Sequence, residues 1–183
     1  MTPVCRCAWA QGDPVMEAYH DAEWGVPVRD PRLLWEMLVL EGFQAGLSWR
    51  TILHRRDGFR RAFDGFDPEV IAAYGTDKVE ALMQDEGIIR ARAKIEATIG
   101  NARAYLRMRE EGRNFAEFIW SFVDGKTQVN DGTIIPASTH TSAALSKALK
   151  VEGFKFVGPT IAYAFMQAVG MVDDHEPGCF RRA

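Results

Sequence analysis

Cysteine is scarce in this chain. The three present, Cys5, Cys7 and Cys179, form an odd set at its two ends. An odd count without a secretory signal argues against a disulfide framework. Long apolar runs are missing as well. None reaches the ~18 residues that span a bilayer, so no membrane-spanning helix is expected. The opening stretch from Met1 to Cys7 has no apolar h-region, and a cytoplasmic protein is expected. Excess positive charge is also lacking, with a net charge of −3 and a pI near 5.8. That argues against a large basic nucleic-acid surface but leaves room for a local one, because phosphate contacts depend on the patch. No repeat recurs at a fixed period, and no low-complexity linker divides the chain.

What remains is an ordinary globular composition, 47% hydrophobic and 26% charged over 183 residues. That length suits one domain, residues 1–183, with the option of two helical lobes around a pocket. The periodicity is helical nearly throughout. Asp13-Pro14 and Asp30-Pro31 each pair an N-cap with a proline in the first turn. The first predicts a helix reaching towards Trp24. The second predicts one ending between Glu41 and Ala45, with Leu33, Leu34, Met37, Leu38 and Leu40 apolar. Ser48 is expected to cap a single helix through Ala62. Asp67-Pro68 starts a short helix, and Thr76 caps another. A long helix runs from about Arg90 to Glu110, and Asn114 caps one to Phe122. Residues 124–139 read as an irregular excursion with a brief extended piece at Val129 or Ile134-Ile135. Thr141 or Ser142 caps a helix to Lys150, and Pro159 to Val169 forms the last. The predicted fold is all-α.

The stretch from Leu40 to Trp49 places one acid, Glu41, at the end of an apolar face. A carboxylate there is either solvated or costly to bury, and burial would move its pKa in the way functional acids require. Near the ends, Cys7 or Cys5 is followed by His20, and His175 precedes Cys179 by a three-residue spacer. Two thiolates and two imidazoles suit a tetrahedral zinc ion that clips the termini together. Trp9, Tyr19, Trp24 and Trp49 fall in loops or at helix ends, where aromatic rings can stack on a flat or cationic ligand. Trp35 reads as core. The segment Gly153–Thr160 joins two predicted helices, and Lys155 and Gly158 there suit a phosphate-binding hairpin. Basic residues gather at Arg50–Arg61, Arg90–Lys94 and Lys147–Lys155; each run taken alone reads as a solvated face.

Together, Cys7-Ala8-Trp9, Tyr19-His20-Asp21-Ala22-Glu23-Trp24-Gly25, Leu40-Glu41-Gly42, Gln44-Ala45-Gly46-Leu47-Ser48-Trp49, Phe154-Lys155-Phe156-Val157-Gly158 and Asp174-His175 closely resemble the 3-methyladenine DNA glycosylase I family. The likeness runs from Cys7 to Cys179. It implies a helix-hairpin-helix glycosylase fold, a zinc-stapled terminus and excision of N3-methyladenine from double-stranded alkylated DNA by a monomer. By motif position it implies Cys7, His20, His175 and Cys179 as ligands of one structural zinc ion, which chooses Cys7 over Cys5. It implies Glu41 as the catalytic acid that recognises the base, and Trp9, Tyr19, Trp24 and Trp49 as base-binding residues. Gln44, Gly46, Leu47, Lys155 and Gly158 are expected to contact DNA, with Phe43, Gln44 or Leu47 filling the gap left by a flipped base. Two positions depart from the family pattern. Phe43 replaces a polar residue and is expected to alter the pocket rim or DNA face. Asp173 replaces Asn, leaving it either to act on the sugar or to cap and solvate. The pocket block holds no Lys for a Schiff base, so a monofunctional enzyme releasing free 3-methyladenine is expected. A non-catalytic binder of alkylated DNA and a zinc hydrolase are the rivals, the latter disfavoured by a closed four-ligand site.

Overall fold

The computed structural model describes residues 4–183. Met1, Thr2 and Pro3, which open the stretch read for a signal, lie outside the described residues. The secondary structure begins where the sequence places caps. Helix α1 (Pro14–Ala22) starts at Asp13, whose Oδ1 accepts from the Val15 and Met16 amides at 3.0 and 3.3 Å. Helix α2 (Pro31–Gln44) starts the same way, with Asp30 accepting from the Leu33 amide at 2.8 Å. Each cap satisfies amides that have no partner inside the helix and contributes about 1 kcal/mol.

Helix α2 is the frame of the molecule. Leu34, Trp35, Leu38, Val39, Leu40, Glu41, Gly42 and Phe43 are all buried along it. Its second half is therefore enclosed on every side, which a single apolar stripe does not predict. Leu33, read as part of that stripe, is 39% exposed. The carboxyl end of α2 is closed by Lys94, whose Nζ donates to the Phe43 and Ala45 carbonyls at 2.9 and 2.6 Å. A cation at that end also suits the helix dipole.

The single helix expected from Ser48 to Ala62 is two, α3 (Trp49–His54) and α4 (Arg56–Ala62). The break falls at Arg55, with φ −101° and ψ 1°. The reason is tertiary: α4 turns so that Gly58 lies against the Gly87 backbone, where a Cβ would sit 2.3 Å from the Gly87 carbonyl oxygen. Helices α5 (Pro68–Ala72), α6 (Thr76–Leu82), α7 (Arg92–Glu110) and α8 (Phe115–Trp120) follow. Thr76 is the first residue of α6 and not its cap, a place taken by Gly75. Helix α9 (His140–Val151) also starts earlier than expected. Thr139 is its cap, accepting from the Ser142 amide at 3.1 Å, while Ser142 Oγ accepts from the Thr139 amide at 2.8 Å. This reciprocal box uses Ser142 as the third helical residue and not as the cap. Helix α10 (Pro159–Ala168) packs on α9 and on α2. The extended piece at Val129 is strand β1 (Gln128–Val129), paired in parallel with β2 (Val172–Asp173).

The main core joins α2, α4, α7, α8, α9 and α10. Phe43 belongs to it, 1% exposed, with its ring centroid 4.7 Å from that of Phe59 and 6.0 Å from that of Phe63. The expectation that Phe43 shapes the pocket rim, the DNA face or a wedge is therefore corrected. The Phe59 ring of α4 and the Phe63 ring just after it receive Phe43 in the interior. A second, smaller cluster gathers Cys7, Met16, Tyr19, Trp24, Leu53, Ala168 and Cys179, with Trp9 and Trp49 half-buried against it. No helix of the described residues is long and apolar enough to cross a membrane.

Candidate active site

A cleft of about 380 Å³ opens over this second cluster. Helix α1 supplies Met16 and Tyr19, α2 supplies Glu41 and Gln44, α3 supplies Trp49 and Arg50, and α10 supplies Ala164 and Gln167. Trp9, Trp24, Ser48 and Ile135 complete the lining. All four aromatic residues expected to bind the base thus share one cavity with the expected acid. Tyr19 and Trp49 lie 5.5 Å apart between centroids, and Trp9 and Trp24 meet edge-on at 5.0 Å.

Four buried polar atoms on these side chains lack a hydrogen-bond partner: Tyr19 Oη, Glu41 Oε2, Gln44 Oε1 and Trp49 Nε1. Native interiors seldom leave such groups unpaired. Two donors and two acceptors around one cleft mark a place prepared for a flat ligand with both kinds of edge. Glu41 is 3% exposed, and burial alone pushes its carboxyl up to about 8. The Tyr19 hydroxyl is held well above its ordinary value, first by burial and then by the nearby Glu41 charge. The solvated reading of Glu41 is excluded by this geometry.

The other expected contacts divide into two groups. Gln44 lines the cleft, and Gly46 and Leu47 follow it in the exposed turn to α3, with Leu47 44% exposed. Lys155 and Gly158 sit apart, on the turn between α9 and α10. Gly42 lies against that turn: a Cβ there would stand 3.3 Å from the Phe156 carbonyl oxygen, a tight contact that glycine avoids. Buried Asn101 grips the same turn, accepting from the Lys155 amide at 2.9 Å and donating to its carbonyl at 3.2 Å. The arginine run near α3 is largely engaged in ion pairs. Arg56 pairs with Glu23, Arg60 with Glu36, and Arg50 with Asp13.

The sulfur and nitrogen donors meet behind the cleft wall. Donor atoms of Cys7, His20 and Cys179 lie within 4.8 Å of one another, all buried, whereas Cys5 is exposed. His175 falls outside that 4.8 Å set but faces it, its ring 5.3 Å from that of His20. Its Nε2 is buried without a partner. Each imidazole is held through Nδ1 by a carboxylate, His20 by Asp21 at 2.9 Å and His175 by Asp173 at 2.7 Å. That orientation leaves both Nε2 atoms for a metal, as in carboxylate–histidine–zinc arrangements. Burial pushes the Cys7 thiol up to about 12, so ionising it requires a cation. The donor set fits zinc. Asp173 is fully used here, since its second oxygen accepts from the Ala183 amide at 3.0 Å. It caps and orients and does not face the cleft. Trp24 joins the two regions, 8% exposed, its ring 4.7 Å from that of His175. Gly25, at φ +78°, makes room for the same imidazole, where a Cβ would lie 2.7 Å from His175 Cε1.

The sequence alone did not single out Met16, Ser48, Arg50, Ala164, Gln167 and Ile135 as cleft residues. Ala164 and Gln167 stand three apart on one face of α10, a spacing visible in sequence. Ile135 lies in an irregular segment that carries no periodic signal.

The sequence profile of the methyladenine glycosylase family matches residues 9–182. DNA-3-methyladenine glycosylase 1 of Escherichia coli (strain K12) is 56% identical over 177 residues, spanning 95% of each chain. A crystal structure of 3-methyladenine DNA glycosylase I has a TM-score of 0.96 and 55% identity, covering 98% of this chain and 100% of that one. The Staphylococcus aureus enzyme, solved to give the structural basis of 3-methyladenine recognition, has a TM-score of 0.89 at 36% identity, covering 97% of this chain and 98% of its own. Sequence and backbone agree along nearly the full length, and the chain belongs to the methyladenine glycosylase family.

Proposed function

We propose that this protein is a base-excision repair enzyme that hydrolyses the N-glycosidic bond of N3-methyladenine in alkylated double-stranded DNA. The observation that carries the reading is the buried Glu41 carboxyl, facing an aromatic cleft with one oxygen unpartnered. Its relatives' activity supports the same conclusion.

A glycosylase must take the base out of the stack before acting on it. Methylation at N3 makes the adenine ring cationic and weakens its bond to the sugar. In the free cleft Glu41 is largely protonated at neutral pH, its pKa lying at about 8. A cationic ring brought against it favours the carboxylate and releases that proton. Unmodified adenine is neutral and offers no such compensation, so discrimination arises from the difference in binding. Tyr19 and Trp49 pack around the ring, and the Trp49 indole N–H and Tyr19 hydroxyl supply donors to its acceptor nitrogens. The C1′–N9 bond breaks with its electron pair passing to N9, which neutralises the base. Water adds to the oxocarbenium-like C1′ and loses a proton, leaving an abasic sugar and free 3-methyladenine. No lysine is among the described residues lining the cleft, which supports hydrolysis without a covalent intermediate or strand cleavage.

Phosphate grip falls to the α9–turn–α10 unit, read as a helix-hairpin-helix element, through Lys155 and the Thr160 and Ile161 amides at the start of α10. Leu47, exposed beside the cleft, would fill the gap in the duplex, whereas Phe43 is buried in the core. Cys7, His20, His175 and Cys179 would hold one zinc ion with no open position, whose role is to fasten the termini. The enzyme is expected to act as a monomer.

The test is chromatography of bases released from methylated duplex DNA. Wild-type protein is expected to free 3-methyladenine, and Glu41→Gln to lose at least tenfold in rate while keeping its fold. Release by the variant at the wild-type rate would remove Glu41 from the mechanism.

A further inference from the structure

The cleft has a floor and a rim, and they differ in chemistry. The unpartnered atoms of Tyr19, Glu41, Gln44 and Trp49 are at the floor, sealed from solvent. Among the lining residues only Ser48, Arg50 and Ile135 are exposed, and these form the rim. Two of the three are polar. Ile135, 42% exposed, is the one apolar group there.

A purine still attached to DNA can enter such a cleft in one direction only. N9 must face the mouth, where the sugar and phosphates pass. The edge carrying N1, N6 and N7 then faces the floor and its donors and acceptors. N3 and N9 are both bonded to C4, so a substituent on N3 projects towards the mouth. It meets the rim and not the floor. Resting on the function proposed above, we propose that Ile135 is a specificity-determining residue that gauges the alkyl group on N3, accepting methyl and crowding larger groups.

The segment carrying Ile135 is moored well enough to act as a gauge. Its root is strand β1, paired with β2 at Gln128↔Val172 and Val129↔Asp173. The Asn130 amide group donates to Asp174 at 2.5 Å and to the Tyr163 hydroxyl at 3.2 Å. Arg182 donates to the Asn130 carbonyl and to the His175 carbonyl, each at 2.9 Å. Asp131 closes the following turn through the Thr133 amide and hydroxyl at 3.0 and 2.8 Å. Pro136 then restricts the residue before it to extended backbone, which fixes the direction of Ile135. Ile134 beside it is 79% exposed and points away from the burial that Ile135 shares with the cleft.

The experiment compares release of 3-methyladenine and 3-ethyladenine from methylated and ethylated duplex DNA by wild-type protein, Ile135→Ala and Ile135→Phe. One methylene in an apolar pocket changes discrimination by roughly tenfold or more. Ile135→Ala is expected to raise the ethyl-to-methyl rate ratio about tenfold, and Ile135→Phe to lower it. Thermal melting, and binding of free 3-methyladenine followed by tryptophan fluorescence, verify that each variant is folded with an intact floor. An unchanged ratio in both folded variants, with wild-type protein active on methylated DNA, overturns the role of Ile135 alone. Wild-type protein that releases no 3-methyladenine overturns the glycosylase reading and the gauge with it.

Discussion

A carboxyl group buried without a partner is unfavourable in the folded protein, and Glu41 shows what that costs and why it is kept. Its carboxyl rises from 4.5 to about 8 through burial alone. A raised acid resists ionisation in the fold but not in the unfolded chain. The stability present below pH 4.5 is therefore lost progressively as pH climbs towards 8. Glu41→Gln removes this penalty while keeping the shape. The variant is expected to match wild-type stability near pH 4 and to exceed it at pH 9, by on the order of 5 kcal/mol at 1.36 kcal/mol per pKa unit. Urea denaturation across that pH range measures the difference. A constant gap between the two proteins would mean that Glu41 titrates alike in the folded and unfolded chains. The gain in stability should accompany the loss of base release, since a cationic base is the partner that the isolated site lacks. Tyr19 carries the same signature. Its hydroxyl is buried, unpartnered and hard to ionise, so it can serve only as a hydrogen-bonding group.

Among the elements, α2 holds the acid, and the turn between α9 and α10 holds the phosphate-binding candidates. Asn101 on α7 is the connection that keeps the second rigid, imitating a peptide partner for Lys155. Replacing it by Ala leaves a partly buried amide and carbonyl without partners, at a cost of about 1–3 kcal/mol. Asn101→Ala is expected to weaken binding of undamaged duplex several-fold and to leave binding of free 3-methyladenine unchanged, because the cleft does not include that turn. Fluorescence anisotropy with labelled duplex, set beside tryptophan quenching by the free base, separates the two. Equal losses in both would show that Asn101 acts through general stability. The starts of α1, α2, α5 and α8 were legible because Asp-Pro and Asn-Phe pairs carry their own local signal. The break at Arg55 was not, since it answers to Gly87, far along the chain. The true start of α9 was missed for a different reason. Thr139, Thr141 and Ser142 are all acceptable caps, and only the reciprocal bonds of a capping box distinguish them. Phe43 shows the same limit at one position: a departure from a family pattern reads as surface chemistry until the rings of Phe59 and Phe63 appear beside it.

Over the whole molecule, the two ends of the chain meet at the back of the cleft. The aromatic floor and the cysteine–histidine cluster were legible because their residue types are unusual for their positions. The link between them was not, because it runs through contacts distant in sequence. Trp24 touches His175, Asp173 holds both His175 and the Ala183 amide, and Arg182 ties His175 to the root of the Ile135 segment. A clip joining Cys7 and His20 to His175 and Cys179 closes a loop of most of the chain, and restraint of so long a loop contributes on the order of 5 kcal/mol. Purified protein is accordingly expected to contain one zinc ion per chain, released by a strong chelator with a marked fall in melting temperature. Cys7→Ser should lower both zinc content and melting temperature, while Cys5→Ser changes neither, because Cys5 is exposed and stands outside the donor cluster. The contacts make a more local prediction. Below its melting temperature, chelated protein should lose hydrogen-exchange protection first around 128–136 and 172–182, where β1, β2 and Arg182 depend on the fastened terminus. Protection of α7 and of the centre of α2 should persist, since neither leans on the cluster. Loss of protection spread evenly over all helices would mean that the metal supports the fold as a whole and does not specifically hold one wall of the cleft.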